Sequence, residues 1–441
     1  MELWDANIPV GQVFIDFSVL GGLLIAGGWL QNRIGWIKRN RIPINVIGGM
    51  TGLLISFSGL TGDFIDSNRL GYYVYHLLAL LFIALGLRSQ RKGTGVDAAK
   101  FGLMYIATYL VQAIVGLSIT FLLLFTIRED LFAGIGLLMP LAFGMNPGIA
   151  YSIGQNWESY GFTYGGTTGL AFAAIGFAVA YTVGLRMINR SQGVVTIPKE
   201  AAQAECTDHV TVSVNYDSGT LHVGLIALTY LLTYGFMHLL AALLTLAGLP
   251  HEANTMWSFH FVFAALLALA VRKIFDALGA SSWIENPRMT SISNVTMDLM
   301  VVASIAAITI AVVQQYWLEL ILLGSITAFS TWLFIHWSVP RLYKVPDLGR
   351  KVALFGNMTG TMQSALVLLR VVDPRLQTSV SQELVYGSGL AMLFGFPLLL
   401  IINAPVLYFE NYTTGFAFAF GLVVIYLLLI LLALWRLSRR H

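Results

Sequence analysis

Charge is scarce in this sequence. Asp, Glu, Lys and Arg make up 11% of its 441 residues, and 57% are hydrophobic. A soluble domain carries about 25% charged residues, so an ordinary soluble fold is excluded. The chain reads as an all-α polytopic membrane protein. Cysteine is nearly absent: the lone Cys206 lies in a polar stretch, which leaves no disulfide framework and no cysteine metal site. Catalytic signatures are missing too. There is no glycine-rich phosphate loop ending in Lys-Ser/Thr, so ATP is not expected to drive it. There is no Gly-x-Ser-x-Gly elbow or His-Glu-x-x-His pair, and an enzyme is not expected. Basic residues are dispersed and give no nucleic-acid footprint. No cleavable signal peptide is evident, because Met1-Glu2-Leu3-Trp4-Asp5 is acidic and an apolar stretch long enough to span follows it.

What is present is a series of long apolar runs. A spanning helix needs about 20 mostly apolar residues. Candidates fall at residues 10–30, 42–60, 70–87, 101–127 and 165–188, then at 222–247, 256–275, 293–313, 318–340 and 385–405, with an eleventh at 415–436. With the N-terminus outside, all of the 25 lysines and arginines except Arg69 and Arg128 fall on the cytoplasmic side. That asymmetry predicts eleven spans, N-out and C-in.

Two apolar segments do not fit as simple spans. One runs from Leu131 through Pro140, Gly144, Asn146 and Pro147 to Gly148. The other runs from Val352 through Gly356, Asn357, Thr359 and Gly360 to Ser364. Broken backbone at membrane depth is tolerated only where protein buries it or it lines a wet cavity. Each segment lies between the fourth and fifth spans of its half. The wording repeats, Phe143-Gly144-Met145-Asn146 against Phe355-Gly356-Asn357-Met358. Reading them as kinked full spans would keep Arg186, Arg190 and Lys199 cytoplasmic only by flipping the earlier charges. The expectation is therefore two inverted repeats of five transmembrane helices, each with a re-entrant hairpin, at about 131–158 and 349–370. The first repeat covers 1–189, a cytoplasmic linker 190–221, the second repeat 222–405, and an extra C-terminal span 406–441.

At these residues the chain resembles the bacterial sodium/glutamate symporters. The similarity covers roughly residues 10–405. It rests on Ile42-Pro43 with Gly48-Gly49, the first hairpin, Tyr160-Gly161-Phe162-Thr163, Asn294-Val295-Thr296, and the hairpin from Gly356 to Thr361. The resemblance implies Na+-coupled uptake of glutamate or a similar acidic amino acid. It implies a homodimer in the bacterial inner membrane and an elevator-like transport domain that moves against a scaffold. The first tip, Gly144-Met145-Asn146-Pro147-Gly148, and the additional threonines of the second depart from the family pattern. They leave a Na+-coupled symporter of non-amino dicarboxylates or hydroxycarboxylates as the alternative. An ion channel is a competitor of another class.

An acidic amino acid brings carboxylates and an ammonium to the midplane. Helix N-termini in the hairpins favour carboxylates, and unwound carbonyls hold Na+. The expected substrate-binding residues are Asn146, Gly148, Ser152, Asn156, Asn357, Thr359, Gly360, Thr361 and Ser364. Gln155 and Gln363 stand on the outgoing arms. Na+ candidates are Gly144, Asn294, Thr296, Asp298 and Gly356; a buried acid such as Asp298 marks an ion path by default. The plainer alternative for the tip residues is capping of broken helices. Arg370 is expected to snorkel to the cytoplasmic surface, Asp16 to be structural, and Glu158 to be solvated. His76, His238, His260 and His336 read as interhelical hydrogen-bond partners.

Overall fold

The computed structural model describes residues 8–40, 42–59, 64–88, 96–190, 218–343, 347–374 and 378–439. Among them every regular element is helical. In chain order these are α1 (Val10–Arg33), α2 (Gly35–Arg39), α3 (Ile44–Phe57), α4 (Ser67–Gly86) and α5 (Val96–Thr126), then α6 (Pro147–Glu158), α7 (Gly165–Arg190), α8 (Ser218–Leu246), α9 (Pro250–Met256) and α10 (His260–Ala277). They continue with α11 (Asn286–Ala306), α12 (Ile310–Tyr343), α13 (Leu348–Thr359), α14 (Met362–Val372), α15 (Val380–Tyr408) and α16 (Tyr412–Arg439). Among the described residues ten helices are long and apolar enough to cross a membrane, α9 and α10 counting as one. Large apolar side chains point outward along them, such as Ile25 (76% exposed) and Leu246 (84%). Such surfaces are stable against lipid and not against water. The protein is a multi-pass membrane protein.

The second expected span, 42–60, is shorter than anticipated. Helix α3 has 14 residues and covers about 21 Å, against about 30 Å of hydrocarbon. It packs tightly instead. A side-chain carbon on Gly27 would stand 2.3 Å from Ile44 O, and one on Gly48 would stand 2.5 Å from Leu23 O. Small residues at both faces let the α1 and α3 backbones touch. The boundary between the eighth and ninth expected spans also moves. The break lies after Ala306, not near residue 315, and Pro287 starts α11 at its first turn. The Ser67 hydroxyl donates to Ala307 O and so satisfies a carbonyl left free at the helix end.

The helices form two compact units. One contains α1 up to Gly28, α3, α4 and α8 through α11. The other contains α5 to α7, α12 to α16 and the segment from Trp29 through α2. Each unit takes helices from both linear halves of the chain, so the halves 1–189 and 222–405 are not themselves compact bodies. Most of the expected linker, residues 191–217, lies outside the described residues.

Both interrupted segments belong to the second unit. The first contains a short 3-10 turn at Ile135–Leu137 and a π-helical turn at Pro140–Met145, then breaks at Asn146 before α6. The second is α13, a break at Gly360 and Thr361, and α14. Its arms fold back on each other: a side-chain carbon on Gly356 would stand 2.9 Å from the Ala365 Cα. Gly116 and Gly136 seat the first segment against α5 at backbone distance, with an added carbon only 2.1 Å from the opposing carbonyl.

Candidate functional site

The first tip is built by its own sequence. Asn146 leaves the helix with extended backbone (φ −170, ψ 141), and its side chain accepts a hydrogen bond from Gly148 N at 2.8 Å. Pro147 follows at the first helical position, where no amide hydrogen is needed. The expected capping role is therefore real at Asn146. At the second tip Thr361 holds the corresponding place but makes no side-chain cap. Thr359 donates back along its own helix to Phe355 O at 2.7 Å. Ser364 Oγ accepts from the Tyr181 hydroxyl at 2.8 Å and lies 2.7 Å from where a Gly360 side chain would begin. Asn357 and Thr361 are buried beside them.

The two tips meet inside this unit. On α7, a carbon added to Gly176 would stand 2.5 Å from Thr359 O and 3.1 Å from the Phe143 ring. On α5, Gln112 reaches both hairpins. Its Nε2 donates to Met358 O at 2.8 Å and to Thr331 Oγ1 at 3.0 Å. Its Oε1 lies 2.9 Å from the position of a Gly144 side-chain carbon. Gly176 thus admits both tips, and Gln112 is bonded to the second and packed against the first.

The outgoing arm α6 carries Ser152, fully buried, and Asn156, whose buried Nδ2 has no hydrogen-bond partner. Gln155 donates to Glu158 Oε2 at 2.8 Å, and Glu158 Oε1 accepts from Gly166 N at 3.1 Å. Glu158 is therefore not the solvated group expected; it fastens the arm to the start of α7. Burial raises its pKa above the ordinary carboxylate range, against the opposing effect of its hydrogen bonds. Gly154 and Gly165 complete that junction at backbone contact. Arg370 is exposed, as snorkelling requires.

The Na+ candidates are divided. Gly144 lies at the joined tips, and Gly356 serves arm-to-arm packing in the same unit. Asn294, Thr296 and Asp298 lie on α11 in the other unit. There Asp298 accepts from Asn45 Nδ2 at 2.8 Å, Thr296 donates to Ile292 O at 2.8 Å, and Asn294 is exposed. Asp16 is buried and held by Arg69 Nε at 3.0 Å, Tyr73 at 2.8 Å and Gln12 at 2.9 Å. Among the histidines, His260 lies 2.9 Å from Tyr75 O, and His76 lies 2.6 Å from the Tyr230 hydroxyl.

Two residues escaped the sequence reading. Gln112 is fully buried in the middle of a 31-residue apolar helix, and that isolation was its only signal. Glu319 is also fully buried. Arg128 Nη1 stands 3.1 Å from its Oε1, although neither carboxylate oxygen receives an aligned hydrogen bond. The signal for Glu319 was Arg128 itself, one of two arginines on the wrong side of the charge rule; the other, Arg69, pairs with Asp16.

At the base of the second hairpin, Arg350 forks onto Glu383 at 2.7 and 2.5 Å and binds Asp347 at 2.7 Å. Asp347 also caps α13 by accepting from Arg350 N at 2.9 Å. Among the described residues no three His, Cys, Asp or Glu side chains stand together as a metal cluster. The acceptors gathered at the tips are neutral oxygens. A scan of protein-family models finds none that matches this chain, and no curated protein matches it.

Proposed function

We propose that this protein is a secondary active transporter coupling Na+ to the symport of glutamate or a similar acidic amino acid. The observation that carries this reading is the meeting of two broken helices around Gly176 and Gln112. Helix breaks deep in a membrane protein free backbone groups that only a ligand, an ion or neighbouring protein can satisfy. The N-terminus of α14, which Thr361 leaves without a side-chain cap, offers amide hydrogens suited to carboxylates, whereas that of α6 is already capped by Asn146. The C-terminal carbonyls of α13 suit a cation.

The division into units supports the same reading. One unit gathers α5, α7, α12 and α15, the fourth and fifth spans of each half, with both hairpins and α16. The other gathers the first three spans of each half. An inverted repeat with a moving hairpin-bearing unit and a scaffold would partition in this way. Alternating access is then a displacement of the hairpin unit. The charge asymmetry supports the N-out, C-in orientation. A homodimer in a bacterial inner membrane accompanies the resemblance to the sodium/glutamate symporters.

The test is radiolabelled L-glutamate uptake into proteoliposomes under an imposed Na+ gradient, with K+ and H+ gradients as controls. Na+-dependent accumulation, competed by unlabelled glutamate and not by malate or citrate, is the expected result. Uptake competed by malate or citrate instead would move the substrate to the hydroxycarboxylates. No accumulation of any of these acids under any gradient would overturn the proposal.

A further inference from the structure

The Gln112 carboxamide is half satisfied. Met358 O can only accept, so the amide nitrogen must face it and the oxygen must face away, toward Gly144. There Oε1 is buried and has no hydrogen-bond donor. A buried acceptor left unpaired costs about 1–3 kcal/mol, and the rest of this side chain is held firmly by two bonds. The neighbouring groups do not supply a donor. Gly144 has no side chain, and the Tyr109 ring presents carbon 2.5 Å from where one would start. On α12, Thr327 lies one turn before Thr331 on the same helix face. It is fully buried, and its hydroxyl also has no partner.

We infer that Gln112 Oε1 is a ligand for the coupling cation, taking a dehydrated Na+ at the junction of the two hairpins. The inference rests on the Na+-coupled reading above and adds a residue to it. Three features select this ligand. The polar groups about this side chain, Met358 O, Thr331 Oγ1 and the unpartnered Thr327 hydroxyl, are neutral oxygens, which suit a hard monovalent ion. The C-terminal end of α13, whose Met358 carbonyl Gln112 engages, carries the negative end of the helix dipole. Tyr109 and Gly144 pack closely at this point, where even a side-chain carbon on Gly144 would stand 2.5 Å from the ring, so the tight site favours a small ion over an amino-acid head group. Because Gln112 also holds Met358 O, an ion on its oxygen would polarise the amide and strengthen the bond from its nitrogen. Na+ would then tighten the link between the tips before substrate arrives.

The test is thermal unfolding of the full-length protein in nanodiscs without substrate. NaCl is titrated against choline chloride at constant ionic strength, with KCl as a second arm. The wild type is expected to gain stability with Na+ in a saturable way. Gln112→Leu keeps the bulk and removes the oxygen; its half-saturating Na+ concentration should rise by about tenfold or more. Gln112→Glu adds a charge and should lower it. A wild-type Na+ curve in Gln112→Leu would overturn the assignment, and continued Na+-driven uptake by the wild type would show that the transport reading survives. If Gln112→Leu does not fold, an unchanged Na+ curve in Gln112→Glu would overturn it equally. Absence of any Na+-specific stabilisation in the wild type would also overturn it.

Discussion

The two hairpins solve one problem in opposite ways. The first carries its own closure: Asn146 turns out of the helix and caps the next one, with Pro147 set behind it. The second has no such device. Thr361 makes no side-chain cap, and the tip is held by groups from elsewhere, Gln112 on Met358 O and Tyr181 on Ser364. A self-capped tip keeps its shape whatever surrounds it. A tip held by outside partners changes when those partners change. The second hairpin is therefore the element through which an ion or substrate would be felt, and the first is the fixed wall.

The most damaging way to break this arrangement is at the point both tips share. Gly176→Val should force Thr359 O and the Phe143 ring apart, an overpacking cost of about 1–3 kcal/mol. Uptake should be lost, and thermal unfolding should shift down while the protein still elutes as a folded species. Retained uptake would show that the tips need not meet.

The roots of the hairpins come next. Arg350→Gln leaves Glu383, a nearly buried carboxylate, without its fork, and a broken buried pair costs about 3 kcal/mol. Glu158→Gln, at the root of the first hairpin, keeps an acceptor for Gly166 N and should lower the unfolding temperature much less. Glu158 also has a pH signature. Its folded-state pKa is raised, so the native protein holds the proton longer than the unfolded chain. Stability should fall as pH climbs from the ordinary carboxylate range through the raised value, and Glu158→Gln should flatten that slope. Equal destabilisation by the two root variants would erase the contrast.

The smallest effects sharpen the comparison at the tips. Asn146→Ala removes a helix cap worth about 1 kcal/mol, so the unfolding temperature should drop. Thr361→Ala removes no cap, so stability should hold while the KM for substrate rises. If Thr361→Ala lowers stability as much as Asn146→Ala and leaves KM unchanged, both tips are merely capped and the second has no special sensitivity.

Much of this was legible in the sequence because it depends on composition and local chemistry. Apolar runs marked the long helices, and Gly, Asn, Pro and Thr marked the breaks at residues 144–148 and 359–361. What escaped depends on contacts between distant positions. The free carbonyl at the end of α11 is met by a hydroxyl on Ser67, which no window around residue 307 contains. The close seating of α3, with Gly48 against Leu23 of α1 and Gly49 against Ile305 of α11, joins positions far apart in the chain. Gln112 and Glu319 looked like lone polar residues in apolar helices; their meaning comes from Met358 and Arg128, far away in the chain. Glu158 looked solvated because its partner, Gly166 N, lies across a turn.

The Arg69–Asp16 and Arg128–Glu319 pairs differ in one further respect, the order in which the ribosome makes them. Asp16 is synthesised before Arg69, so that arginine finds its counter-charge already waiting in the nascent chain. Arg128 emerges long before Glu319. Until α12 is made, Arg128 has only the exposed Asp130 beside it, at 3.2 Å, and lacks its buried acid. A chain truncated between these two residues would have its first hairpin complete and Arg128 paired only with the exposed Asp130. The second half of the protein thus supplies the piece that lets the first half settle.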